Sequence, residues 1–287
     1  MNTLALILVL SSALLHTFWN FSTKRSVNKH VFIVLALGFA SILLIPVGVI
    51  LLLTHPVSML GWCFVVITTG LHAAYFRFIS ISYSKGDLTV VYPIARGIAP
   101  ILVPVIAVVL FDEAISSMAV IGIGLIVIGI FVVALTSNYQ KMNMWDIFHA
   151  LRYPVLIGLS TTAYSLVDKS GVTHVQPFLY MYLMTLGSFI LLIPYILIKH
   201  GLDSLVNEWK HSRIVIIVSG LCIFGAYGLV LTALSISKVS YIVPAREVGI
   251  VIGVILGIFV LKEPSGVKRL IGAGLIVSGL FVLALAP

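Results

Sequence analysis

Residues 90–113 read VVYPIARGIAPILVPVIAVVLFDE, and residues 241–263 read YIVPAREVGIVIGVILGIFVLKE. Each is an apolar run long enough to cross a bilayer, yet each carries an arginine near its start and closes on a glutamate. A shift of 150 residues lays Ala95-Arg96 on Ala245-Arg246 and Glu113 on Glu263 without a gap. The same shift lays IGIGLIVIGIFVVAL (121–135) on IGAGLIVSGLFVLAL (271–285), so that 14 of the 41 positions from Ala95 to Leu135 are identical. Apolar bias alone produces chance matches among Ile, Leu and Val. It does not place Arg, Glu and Gly in register. With small shifts, Ala73-Ala74-Tyr75 meets Ala226-Tyr227, and Lys85 meets Lys238. The chain reads as two repeats, 1–136 and 152–287, joined by a linker at 137–151 that is expected to lie at the membrane interface.

The composition decides the solvent. Of the 287 residues, 61% are hydrophobic and 9% charged, with a mean hydropathy of +1.20. That is too little polar side chain to cover a water-facing surface. The runs lack the period-two alternation of an outer-membrane barrel. An all-α membrane protein follows, with ten transmembrane helices at about 3–21, 31–53, 59–82, 88–110, 117–136, 152–170, 177–198, 213–236, 239–261 and 268–286. The first run has no basic leader and no small-residue cleavage pattern, so it reads as a retained helix. Cys63 and Cys222 sit alone in apolar runs and imply neither a disulfide nor a metal site.

Of the 17 Lys and Arg residues, twelve flank the connections after odd-numbered spans and only Lys169 and Lys238 follow even ones. The remaining three, Arg77, Arg96 and Arg246, lie inside spans. The excess places the odd connections in the cytoplasm and both termini outside the cytoplasmic membrane. The net charge of +8 is therefore topogenic and lipid-facing, and nucleic acid is not an expected partner. Five spans per half is an odd number, so the two halves should run through the membrane in opposite senses. Inverted repeats of this kind are the architecture of secondary transporters, with the solute site between halves near the midplane.

HTFWN (16–20), GDLTVVYPIARGIAP (86–100) running on to FDE, and VPAREVGIVIG (243–253) running on to LKE carry a resemblance that covers essentially the whole chain. The sequence resembles the EamA family of the drug/metabolite transporter superfamily, and a subgroup of it associated with phosphonate use. The resemblance implies alternating access without ATP, and it implies no particular solute. The residues agree on energy source: no phosphate-binding G-x-x-x-x-G-K-[ST] loop is present, and no cofactor is called for.

Arginine at the bilayer centre costs at least about 2.5–3.5 kcal/mol, so it should face a cavity or a partner. Arg96 lies roughly 12 Å into its span at 1.5 Å per residue, and Arg246 enters its span from the opposite face. Both are expected to line the solute path or to hold backbone opened by Pro93 or Pro244; the two roles are compatible. Arg77, His72, Tyr75 and Phe76 are contributed by the third span, His16, Trp19 and Asn20 by the first, and Tyr227 by the eighth. Substrate contacts are expected from Arg96, Arg246, Arg77, Tyr75, His72, Trp19, Asn20 and Tyr227. Trp19 near a span end also suits an interfacial anchor.

Among nine acidic residues, Glu247 alone lies well inside a span. It points about 100° away from Arg246 and is free to pair with Arg77 or Arg96, or to carry a coupling proton, as is His72. Asp168 reads as a span-end residue paired with Lys169 or a headgroup, and Asp112, Glu113 and Glu263 as capping or topological groups. Gly122, Gly124, Gly129 and their copies Gly272, Gly274 and Gly279 should allow close helix approach. Pro100 and Pro104, with Pro93 and Pro244, should bend the fourth and ninth spans. Asn20-Phe21-Ser22 matches a glycosylation acceptor but sits at a span boundary. Three arginines against one glutamate give +2 within the membrane, which favours an anionic or zwitterionic solute offering carboxylate, phosphate or phosphonate.

The expected partners are thus a small-molecule solute, a coupling proton or exchange solute, and membrane lipids; homodimer formation is left open. The rival readings are a membrane-embedded enzyme acting on a lipid-linked phosphate, which lacks a recognisable catalytic set, and a non-transporting scaffold or scramblase.

Overall fold

A computed structural model describes residues 2–85, 88–134, 144–259 and 267–287. Pro93 and Glu263, together with residues 137–143 of the linker, lie outside the residues or side chains described. The described residues are helical almost throughout: α1 Thr3–Arg25, α2 Lys29–Leu43, α3 Ile45–Thr54, α4 Met59–Lys85, α5 Leu88–Phe111, α6 Ser117–Ala134, α7 Met144–Gly171, α8 Pro177–Ile236, α9 Val239–Ala245, α10 Val248–Phe259 and α11 Val267–Leu285. Many outward side chains are large and apolar, among them Leu53, Val66, Val109, Ile198 and Phe281. In water such a surface would be unfavourable; against lipid it is the ordinary exterior.

Local chemistry sets the breaks. Asn2 caps α1, accepting from the Leu4 N–H, and Asn28 caps α2, accepting from His30 and Val31 N–H groups. The second expected span is divided into α2 and α3, which bend by 58° at Leu44, where Pro46 enters without an N–H. The expected seventh and eighth spans run together as one helical stretch, α8. It is broken at Gly201, whose φ of 70° suits glycine, and at Ser212. The ninth span ends as α9 just after Pro244 and restarts as α10 at Val248. Residues 144–151, expected to belong to an interfacial linker, instead open α7. Among the described residues, five helices can cross a membrane by length and composition, or six if α2 and α3 are counted as one.

The connections sort to two ends. Near the end of α4, Arg77 meets His30, and Asn28 meets His200 and Glu208. Near the start of α4, Phe64 stacks on His174. Glu113 accepts from the Val239 and Ser240 N–H groups, so its expected capping role holds.

The tightest crossing is α6 against α11. A Cβ at Gly129 would lie 2.7 Å from the Gly272 carbonyl oxygen, and one at Gly279 would lie 2.6 Å from that of Gly122. Gly122 approaches Gly279 while Gly129 approaches Gly272, so the helices cross antiparallel. The glycines of each helix meet the backbone of the other reciprocally. Gly124 and Gly274, expected to share this duty, face open space instead. They fall on the helix faces turned away from the crossing. Gly279→Ala is accordingly expected to cost roughly 1–3 kcal/mol, since the backbone of Gly122 and Ile126 would have to give way. Gly124→Ala should be neutral or slightly stabilising. Thermal unfolding of both variants in one detergent checks the contrast; equal midpoints would mean the crossing is looser than described.

Candidate functional site

Where α9 breaks after Pro244, two consecutive charged residues turn inward. Arg246 and Glu247 are both buried. Glu247 Oε2 lies 2.8 Å from Arg96 Nε, an ion pair with side-chain exposures of 4% and 11%. Arg96 also donates from Nη2 to the Arg246 carbonyl oxygen at 3.4 Å. Two arginines at equivalent places in the sequence repeat therefore meet directly. Arg96 holds backbone opened by the helix break and also faces the cavity.

That cavity is lined by His16, Asn20, Tyr75, Tyr83, Arg96 and Thr161 among others. Its volume is about 10 Å³, the scale of a single water, so a metabolite needs the helices to move apart. Asn20 donates to the His16 carbonyl oxygen and accepts from the Tyr83 hydroxyl at 2.8 Å. His16 is approached at Nδ1 by the Trp19 indole N–H at 3.3 Å and at Nε2 by Arg96 Nη1 at 3.2 Å. A neutral imidazole has one lone pair to offer, so it accepts from one of these and not both. The group has room for one more acceptor. Trp19 is buried, edge-on to Phe76, and so serves here and not as an interfacial anchor.

A second polar group adjoins the first. Tyr75 stands edge-on to Tyr164, which stacks on His72 at 4.1 Å, and Tyr227 closes the ring cluster. The Arg246 guanidinium lies 5.3 Å from the Tyr227 ring centroid and connects the two groups. At the bottom sits Asp168, wholly buried. It accepts from the Tyr180 hydroxyl at 2.9 Å and from the Tyr227 hydroxyl.

Asp168 is thus not the span-end residue that the sequence suggests. Lys169, its expected partner, turns away and donates to the carbonyl oxygens of Leu234 and Ser237. Adjacent helical residues diverge by about 100°, the same rule that separates Arg246 from Glu247. The signal available in the sequence was Tyr164 and Asp168 at i and i+4, a polar pair on one face of an apolar span. The charge balance changes with it. Arg77 lies elsewhere, against His30 and Tyr195, so the centre holds Arg96 and Arg246 against Glu247 and Asp168, and the expected excess of +2 is absent.

His72 has its own constraint. Its Nδ1 lies 3.0 Å from both the hydroxyl and the carbonyl oxygen of Thr68, which anchor the ring at that nitrogen. Nε2 then faces Asp168 Oδ2 at 4.0 Å, and no hydrogen bond reaches it. A lone pair opposite a carboxylate in a buried site is unfavourable unless a proton lies between them.

Residues 151–285 match the EamA-like transporter family, and residues 28–126 match the small multidrug resistance protein family. Both matches are to transporter families, and together they indicate a membrane transporter of the drug/metabolite type. The first match takes in Tyr164, Asp168, Tyr227, Arg246 and Glu247, and the second takes in His72, Tyr75 and Arg96, so both transporter matches carry part of the polar centre. No curated protein matches the sequence significantly. A solved crystal structure superposes on this transporter over 99% of the chain and 98% of its own, with a TM-score of 0.76 at 16% identity. That likeness speaks for the fold alone. Among the described residues, no group of His, Cys, Asp and Glu is placed to hold a metal ion.

Proposed function

We propose that this transporter moves a small anionic or zwitterionic organic metabolite across the cytoplasmic membrane by alternating access between two inverted five-helix repeats, driven by a gradient and not by ATP. The observation that carries the reading is Arg96, held between His16, the Arg246 carbonyl oxygen and Glu247 at the junction of the two halves. The reciprocal, antiparallel glycine crossing of α6 and α11 supports the inverted symmetry. A carboxylate, phosphate or phosphonate would take the fork of Arg96 in competition with Glu247, and would fill the acceptor place beside His16. Because the centre is balanced in charge, a solute bringing its own ammonium group fits as well as a simple anion.

A thermal-shift screen of the purified protein tests the solute class. Carboxylated, phosphorylated or phosphonylated metabolites should raise the midpoint, since binding to the folded state stabilises it by RT ln(1 + [L]/Kd). A shift produced only by cations would overturn the assignment.

The same reading has ten spans with both termini outside the cytoplasm. A reporter fused after Pro287 is expected to be active only on the non-cytoplasmic side; cytoplasmic activity of an intact fusion reverses the orientation and leaves the repeat argument standing.

Coupling is assigned to a proton passed between His72 and Asp168, with Glu247 as the group that exchanges its arginine for the solute. The groups facing this pair are Tyr164 on α7, Tyr180 and Tyr227 on α8, Thr68 on α4, and Arg246 above the Tyr227 ring. They supply hydroxyl donors and one guanidinium, and none of them supplies a second carboxylate.

A further inference from the structure

We infer that the chain carries a second anion site, for a phosphate group, where Arg77 of α4, His30 of α2, and His200 and Lys199 of α8 come together with Asn28. This site is distinct from the central cavity and does not depend on the transport reading. The Arg77 guanidinium lies 3.8 Å from the Tyr195 ring centroid, and the Lys199 ammonium lies 5.5 Å from the same centroid. The His30 and His200 rings stack at 5.5 Å. Among the described residues no ion pair joins Arg77 or Lys199 to a carboxylate.

The hydrogen bonds fix where the protons are. Arginine only donates, so the contact of Arg77 Nη1 with His30 Nδ1 at 3.3 Å makes that nitrogen the acceptor and puts the His30 proton on Nε2. Asn28 Oδ1 accepts from the His30 and Val31 N–H groups at the start of α2, so the other end of its amide is the NH2. That NH2 faces His200 Nδ1 at 3.2 Å and donates to it, which leaves the His200 proton on Nε2. His200 Nε2 is buried and has no acceptor. Burial, then the charges of Lys199 and Arg77, push the His200 imidazole below its ordinary value, so the neutral, donating form persists.

The cluster is therefore rich in donors and poor in acceptors. Two full charges and the His200 ring, whose N–H finds no acceptor, stand around Tyr195, and the buried Tyr195 hydroxyl has no partner either. The carboxylate nearest to them in the bond network, Glu208, accepts from the Asn28 N–H through Oε2 at 2.7 Å, while its Oε1 accepts from nothing. That one acceptor is outnumbered by the donors and cations around it. A phosphate, with several acceptor oxygens and a charge, satisfies the fork of Arg77 and the imidazole N–H groups together. The site lies at the end of the bundle where Lys29 and Lys199 adjoin it, on the side of the basic connections, where lipid phosphates reside. An anionic-lipid headgroup and a free phosphate offer the same chemistry.

Two measurements on the full-length protein separate the sources. Native mass spectrometry counts phosphatidylglycerol retained against phosphatidylcholine. Calorimetry in phosphatidylcholine nanodiscs measures inorganic phosphate. Wild type should bind one of the two, and Arg77→Gln and Lys199→Gln should each weaken that binding about tenfold, as expected for a lost charged hydrogen bond. Loss of retained phosphatidylglycerol marks a lipid site, and loss of the phosphate heat marks a soluble-anion site. Absence of both in the wild type, or wild-type binding in both variants, overturns the proposal. Should Arg77→Gln fail to fold, Lys199→Gln on its exposed side chain decides alone.

Discussion

Replacing Arg96 with methionine is expected to destabilise the folded protein by about 3–5 kcal/mol, the penalty typical of removing one partner from a buried ion pair. Glu247 is 3% exposed, and its nearest cation would be gone. Arg246 does not replace it, because its guanidinium is directed over the Tyr227 ring. The double variant Arg96→Met, Glu247→Leu removes both charges and should recover most of the loss, since a buried pair adds little net stability over well-packed apolar residues. Unfolding midpoints of the wild type, the single variant and the double variant in one detergent provide the check. A single variant as stable as the wild type would show that the pair is solvated and that the centre is not closed as described.

The second large effect concerns coupling. Asp168→Asn keeps the volume and retains acceptor and donor atoms for Tyr180 and Tyr227, but it cannot share a proton with His72 in the same way. Uptake driven by a pH gradient is expected to fall at least about tenfold, while exchange at equal pH on both sides continues. His72→Ala should show the same split, because it removes the other end of the proton site. Glu247→Gln should differ. It frees Arg96 for the solute, so its clearest expected effect is on apparent affinity. Gradient-driven uptake at the wild-type rate in Asp168→Asn would remove that residue as a carrier. Parallel loss of exchange and gradient-driven uptake would make its role structural.

Particular residues show why some of this was legible in the sequence and some was not. The repeat could be read because Arg96, Arg246, Glu113 and the glycines of α6 and α11 are rare types in an apolar background. Their register survives where Ile and Leu exchange freely. Helical spacing correctly grouped His72 with Tyr75 and Phe76, and His16 with Trp19, since i+3 and i+4 neighbours share a face wherever the helix lies. Asp168 was misjudged because its neighbour Lys169 offered an easy partner in sequence, whereas the helix turns the two apart. Tyr180 carries no charge and gave no signal until tertiary packing brought α8 against α4 and α7. Arg77 follows the same logic in reverse. Its charge suggested the solute path, but one residue past Phe76 the helix faces α2 and α8 instead.

The central claim is that Arg96 meets the anionic group of the transported solute. Solute counterflow in proteoliposomes tests it most directly, with vesicles preloaded with carboxylated, phosphorylated or phosphonylated metabolites and a labelled tracer outside. Arg96→Lys keeps the charge but loses the planar fork, a loss of roughly 1.5–3 kcal/mol for hydrogen bonds to a charged group. The wild type should exchange at least one anionic or zwitterionic solute, and the lysine variant should require about ten to a hundred times more of it for the same rate. Counterflow confined to cations, or equal apparent affinity in wild type and Arg96→Lys, would contradict the account.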